Sequence, residues 1–161
     1  MYLFIDEGVK IKKNIEFGFQ SPEESPGFLL WQLSMMWQRN INRALAEFDL
    51  THTQFVVIAV LAWLGKQSEV VTQVEIARRS NIDKMLVSKV LRSLQGKGFI
   101  ERSEHKTDTR AKQVVLSKMG YSILQKAIVK VEAVDSNLFS ALGDKQATFN
   151  KNINSLLEKT L

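Results

Sequence analysis

The chain has 161 residues, 45% hydrophobic and 24% charged, the balance of a soluble globular protein of about one domain with a core to bury. It contains no cysteine, and its two histidines, His52 and His105, lie far apart, so disulfide frameworks, thiolate metal sites and thiol-based sensing drop out and no metal or cofactor is expected. Net charge is +5; from Gln73 to Lys118 eleven basic residues stand against five acids, a net +6, which leaves −1 for the other 115 residues. A contiguous positive segment is the electrostatic footprint of a nucleic-acid-binding module, although a lysine-rich solvated face has the same composition. The longest apolar run, Phe55 to Leu64, spans ten residues, short of the roughly 20 that cross a bilayer. Met1 to Glu7 lacks the basic region and apolar core of a secretory signal, so a cytoplasmic protein with no membrane partner is expected.

In chain order, residues 1–27 read as an arm, with a strand-like alternation at Val9-Lys10-Ile11-Lys12 and a loop at Ser21 to Gly27. Phe28 to Phe48 follows helical period through Leu30, Leu33, Trp37, Ile41, Leu45 and Phe48, with Phe28, Trp31 and Met35 beside that stripe. A helix apolar over more than one narrow face implies a partner helix. Thr51 caps a helix running to Leu64, and Gly65 stops it. Thr72 caps a helix over Gln73 to Arg79, with Glu75 in its first turn. After a break at Ser80-Asn81-Ile82, Asp83 caps Lys84 to Gln95, which Gly96 and Gly98 terminate. Phe99 to Ser103 and Lys112 to Leu116 read as the strands of a hairpin with its tip at Glu104 to Ala111. From Ser117 the period is helical again through Ile123, Leu124, Ala127, Ile128, Val131, Val134, Leu138 and Phe139. Beyond Gly143-Asp144 a last helix carries Phe149, Ile153, Leu156 and Leu157.

Helix, tight break, helix and two-stranded hairpin is the order of a winged helix-turn-helix. The second helix offers Lys84, Met85, Ser88, Lys89 and Arg92 to a major groove, while Leu86, Val87, Val90, Leu91 and Leu94 repeat at core spacing. The hairpin tip, His105 to Lys112, is basic through Lys106, Arg110 and Lys112, and such a loop reaches phosphates or the minor groove, where arginine is favoured. Asp108 can pair with Arg110 or with the hairpin backbone and so fix its aim. An ordinary solvated hairpin tip is the alternative.

The stretch Asp108-Thr109-Arg110-Ala111-Lys112-Gln113-Val114-Val115-Leu116-Ser117 resembles the wing signature of the MarR (multiple antibiotic resistance regulator) family: Asp, one residue, Arg, five residues, then Leu and Thr. Ser117 replaces the Thr and keeps a hydroxyl for capping the next helix. Val87 to Leu94 with Gly98-Phe99-Ile100-Glu101-Arg102 is similar to the family's recognition helix and its exit, and Leu50 to Phe55 to the start of its second helix. The likeness runs from about Pro26 to Leu142. It implies a homodimer whose first and last helices interlock, each subunit presenting one recognition helix to half of a pseudo-palindromic operator. Ser88, Lys89 and Arg92 would then be recognition-helix contacts, Arg110 the wing arginine and Asp108 its orienting partner. For many members it also implies an anionic or phenolic ligand between the dimerisation and DNA-binding parts. Thr109 stands where many members carry a second wing arginine, and the arm is longer than the family core requires.

The expected fold is mainly α with a small two-stranded β-wing: an arm at 1–27, a dimerisation helix at 28–50, a winged helix-turn-helix at 51–118 and dimerisation helices at 119–161. The expected function is an operator-binding transcriptional regulator, with repression as its sign, whose double-stranded DNA partner is joined by a second copy of the chain. The alternative is a winged-helix module whose basic face meets an acidic protein. Trp37, His52 and Phe55 are candidate lining for an effector pocket, with Trp31, Met35 and Met36 nearby; aromatic and methionine residues at helical spacing equally serve as core or dimer interface. Gly96-Lys97-Gly98 follows a helix and precedes a strand, which makes it a helix terminator rather than a phosphate loop. No nucleophile–base pair stands out, so no enzyme is expected.

Overall fold

Four of the helices begin where the chain supplies an oxygen to their first amides. In the computed structural model, which describes residues 16–68, 70–104 and 112–159, α2 (His52–Gly65) and α3 (Gln73–Ser80) each open with a complete capping box. In the first, the Gln54 amide donates to Thr51 Oγ1 and the Thr51 amide to Gln54 Oε1. In the second, the Glu75 amide donates to Thr72 Oγ1 and the Thr72 amide to Glu75 Oε2. The carboxylate of Asp83 accepts from the first amides of α4 (Lys84–Gly96), and Ser117 Oγ from Gly120 at the start of α5 (Lys118–Phe139). Each reciprocal cap satisfies amides that a helix leaves without partners, a contribution of ~1 kcal/mol apiece.

One compact unit ends at Met35 and a second begins at Met36. The first contains a 3-10 turn at Pro22–Glu24 and the opening of α1 (Pro26–Leu45). The expected loop at Ser21 to Gly27 is thus shortened at its end, where the helix begins two residues before Phe28. Pro26 occupies the first helical position, where its missing N–H costs nothing, and Ser25 accepts from the amides of Phe28 through Oγ and Leu29 through its carbonyl. Phe28 and Trp31 stack one turn apart, with ring centroids 5.8 Å from each other. The strand-like stretch at Val9 to Lys12 lies outside the described residues.

In the second unit α2 is the central element. Its sequence is apolar all round, and it packs against α3, α4, α5 and the wing, as a helix without a polar face must. Around Val57, Ile58 and Leu61 of α2 gather Ile41 and Leu45 of α1, Ile76 of α3, and Val87, Leu91 and Leu94 of α4. Ile100, Val114, Leu124 and Ala127 belong to the same buried cluster. Each large side chain fully buried there contributes ~1.5–3 kcal/mol.

The wing is antiparallel, β1 (Ile100–Glu104) against β2 (Lys112–Leu116), with Ile100 opposite Leu116 and Arg102 opposite Val114. Val71 extends it, its carbonyl accepting from the Val114 amide at 2.9 Å. The base of the wing is laced to α5. Gly98, at φ 72°, turns the chain out of α4, and its carbonyl accepts from Ser117 Oγ. Gly120 lies so close to the strand that a Cβ there would stand 1.9 Å from the Phe99 carbonyl oxygen. After a 3-10 segment at Ser140–Lys145, α6 (Gln146–Glu158) closes the fold without burying a side chain. Among the described residues, no single helix is long and apolar enough to cross a membrane.

Candidate nucleic-acid interface

The tight break between α3 and α4 is made by Asn81, which sits in the left-handed region at φ 53° and returns its amide to the Ala77 carbonyl. Asparagine tolerates that conformation better than most residues. The Ile82 amide also donates to Ala77 O, and Asp83 then starts α4 with Oδ1 accepting from Met85 at 2.8 Å and Leu86 at 3.2 Å. Gln73 spans the corner: its Nε2 donates to the Lys84 carbonyl at 3.4 Å, and its Oε1 accepts from Arg102 Nη2 at 3.3 Å. One side chain thus connects the starts of α3 and α4 to strand β1. Sequence reading missed Gln73 and Arg102; the available signal was Arg102's place two residues after buried Ile100, on the same face of the strand.

At about 100° of rotation per residue, Val87, Val90, Leu91 and Leu94 form one stripe of α4, and all four are buried. Met85, Lys89 and Arg92 form the opposite stripe and are exposed, with Lys84 and Ser88 on its flank. Of the five predicted contacts, Met85, Lys89 and Arg92 thus stand on the outward side, Lys84 is exposed at the start of the helix, and Ser88 is half-buried on the flank. Leu86 corrects the expectation: counted among the inward residues, it is 46% exposed. It lies at the edge of the buried stripe in the first turn, where the core does not extend beneath it. Arg92 Nε donates to the carbonyl of Ser88, one turn back, at 3.4 Å, which leaves its terminal nitrogens for other partners.

The wing contacts fall differently. Lys106, Asp108 and Arg110 lie outside the described residues, as does the Lys112 side chain, although the backbone of Lys112 opens β2 opposite Glu104.

Of the three candidate effector-pocket residues, two meet. The rings of Trp37 and His52 pack edge to face with centroids 4.9 Å apart, and Trp37 Nε1 donates to Asp135 Oδ1 of α5 at 2.7 Å. The His52 amide donates to Asn42 Oδ1 at 3.1 Å. Burial pushes the His52 imidazole below its usual pKa, and the charge of Asp135 opposes that shift without cancelling it. Phe55, one turn along α2, is 9% exposed and belongs to the core. A cleft of about 490 Å3 opens between α1 and α5, lined by Met36, Asn40, Arg43, Ala44, Val134, Asn137 and Leu138; none of the three candidates lines it. Asp135 and Asn42 escaped the sequence reading because each meets its partner only through tertiary packing. Among the described residues, no group of three or more histidine, aspartate or glutamate side chains could hold a metal ion.

A capped helix pair joined by a tight turn, an outward basic stripe on its second helix and an antiparallel wing tied to its base define a winged helix-turn-helix DNA-binding protein. The sequence model of the MarR family matches residues 50–112. YdcH of Bacillus subtilis strain 168, described as an uncharacterised HTH-type transcriptional regulator, is 43% identical over 128 residues, covering 80% of this chain and 87% of YdcH. The chain belongs to the MarR family of transcriptional regulators. Two solved structures share the fold. MepR of S. aureus in complex with DNA has a TM-score of 0.77 at 23% identity, covering 88% of this chain and 100% of MepR. CouR of Rhodococcus jostii RHA1 bound to p-coumaroyl-CoA has a TM-score of 0.74 at 22% identity, covering 86% and 93%.

Proposed function

We propose that this protein is a cytoplasmic repressor that binds a pseudo-palindromic operator as a homodimer. The observation that carries the reading is the two-sided α4: buried Val87, Val90, Leu91 and Leu94 behind, Met85, Lys89 and Arg92 in front. A helix built this way fits a major groove with its apolar side held by the protein. Lys84, Met85, Ser88, Lys89 and Arg92 face the bases and the nearby phosphates. Lys106, Arg110 and Lys112 of the wing reach the flanking backbone and minor groove, with Asp108 orienting Arg110. Two copies set their recognition helices about 34 Å apart, one turn of DNA. MepR, which shares the fold, is seen in complex with DNA.

In this assignment the dimer forms through residues 28–50 and 119–161, residues 51–118 bind DNA, and residues 1–27 are an added arm. The exposed apolar side chain Leu157 of α6 and, in the first unit, Leu30 and Trp31 of α1 are each apolar surface that a second copy covers. A small anionic or phenolic effector binds near Trp37, His52 and Phe55 and changes the spacing of the two recognition helices, lowering operator affinity. CouR, seen with p-coumaroyl-CoA, is a relative in fold that takes an aromatic acyl ligand. The protein acts by binding and not as an enzyme.

Fluorescence-anisotropy titration with DNA from upstream of the gene, against a scrambled duplex at two salt concentrations, tests the reading. Saturable preference for the upstream duplex is the expected result. Equal and steeply salt-dependent binding to both would reduce the interface to generic phosphate attraction and favour an acidic protein as the partner of the basic face.

A further inference from the structure

The outward stripe of α4 is not uniformly polar. Met85 is 82% exposed, the most exposed of the large apolar side chains in the described structure, and it stands in line with Lys89 and Arg92, directly opposite the buried stripe. It lies in the first turn, held there by the Asp83 cap, to which its own amide donates at 2.8 Å. Nothing in the core needs it. A methionine left in water at the leading end of a helix forgoes the stabilisation that burying it elsewhere would bring.

Two occupants could cover such a side chain. A second copy of this chain is disfavoured, because a symmetric contact through this stripe would bring the cations Lys84, Lys89 and Arg92 of one copy against the same set of cations of the other. A polyanion meets the same three cations favourably. In the major groove of DNA, the apolar group that a side chain can meet is the C5-methyl of thymine, and only thymine among the four bases displays one.

We infer that Met85 is a specificity-determining residue that reads a thymine methyl in each operator half-site. The inference rests on the operator-binding reading above and deepens it, naming one base chemistry the half-site must contain. Lys89 and Arg92, one and two turns further along the stripe, flank the methyl contact with donors for base edges or phosphates. The thioether is unbranched and adapts to the groove wall, while the Asp83 cap holds the first turn that aims it.

The experiment selects the preferred duplex from a random-sequence pool with the full chain, then replaces each thymine of the half-site singly by deoxyuridine, which deletes the methyl and leaves every hydrogen-bonding group in place. Binding is read by anisotropy for the unaltered chain and for Met85→Ala, a change at an exposed helix position that leaves the core untouched. One thymine per half-site is expected to show a roughly fourfold loss on conversion to deoxyuridine, the effect of one buried methyl, and Met85→Ala is expected to abolish that difference. If no thymine shows a loss, or if the loss persists in Met85→Ala, the Met85 assignment is overturned while operator reading stands. If no sequence is enriched from the pool, operator reading itself fails and the assignment falls with it.

Discussion

Gln54 shows how much one polar side chain organises. It is 7% exposed, a polar residue inside the core. Its amide donates to Thr51 Oγ1, its Oε1 accepts from the Thr51 amide at 3.0 Å and from Lys97 Nζ at 3.4 Å, and its Nε2 donates to Ser93 Oγ at 2.9 Å. It thereby caps α2 and pins α2 to α4. Gln54→Ala should destabilise the fold by ~1–3 kcal/mol, since it removes the capping-box acceptor and the hydrogen bond to Ser93 together with a buried side chain; an unchanged urea midpoint would contradict this. His52 gives a pH dependence. Burial holds its folded-state pKa below the ordinary 6.5, so below that pH the unfolded chain binds a proton the folded chain refuses. Stability is therefore complete above 6.5 and declines as pH falls towards the lowered folded value. Urea midpoints across that range should decline less steeply for His52→Gln than for the unaltered chain, and parallel curves would dismiss the idea.

At the scale of elements, α6 is the outlier. Phe149, Ile153 and Leu157 recur every four residues along one side, yet α6 buries no side chain, and Leu157 is 57% exposed. The pattern is that of a helix waiting for another apolar surface. Leu157→Glu should shift the chain from dimer to monomer in sedimentation velocity while its circular dichroism keeps the helical signal. A dimer of undiminished strength would take α6 out of the interface. The wing behaves in the opposite way: the Ser117 hydroxyl bonded to the Gly98 carbonyl, the Ser117 amide bonded to the Phe99 carbonyl and the close approach of Gly120 to Phe99 bind its base to α4 and α5, so the strands are placed by contacts at their root.

For the whole molecule, charge is the controlling quantity. The net +6 concentrated between Gln73 and Lys118 implies an operator affinity that falls linearly in a log–log plot against salt, with a slope of about −0.9 per phosphate neutralised. Arg110→Ala should weaken binding across sequences and flatten the slope by about one. Lys89→Ala, if Lys89 meets a base edge, should instead cost ~1–3 kcal/mol at the preferred duplex and far less on scrambled DNA. Titrations at several salt concentrations separate the two, and exchange of the two signatures would reverse the roles assigned to helix and wing.

The sequence by itself determined what depends on neighbours along the chain. Thr51, Thr72, Asp83 and Ser117 mark helix starts because capping acts over two or three residues, and Asn81 marks the tight turn for the same local reason. The apolar periodicities of α4 and α5, the order of elements and the position of the basic segment were legible too. Pro26 misled, because proline reads equally as loop or as the first residue of a helix, and only the chain around it selects. Tertiary structure decided the rest. Trp37 and Asp135 are 98 residues apart and share a hydrogen bond; Gln73 and Arg102 are 29 apart and tie the wing to the recognition helix. Leu86, expected in the core, is half-exposed at the edge of the buried stripe, while Gln54, a polar residue, is buried. Periodicity reports which way a side chain leaves its own helix, whereas burial depends on whether another element stands beside it.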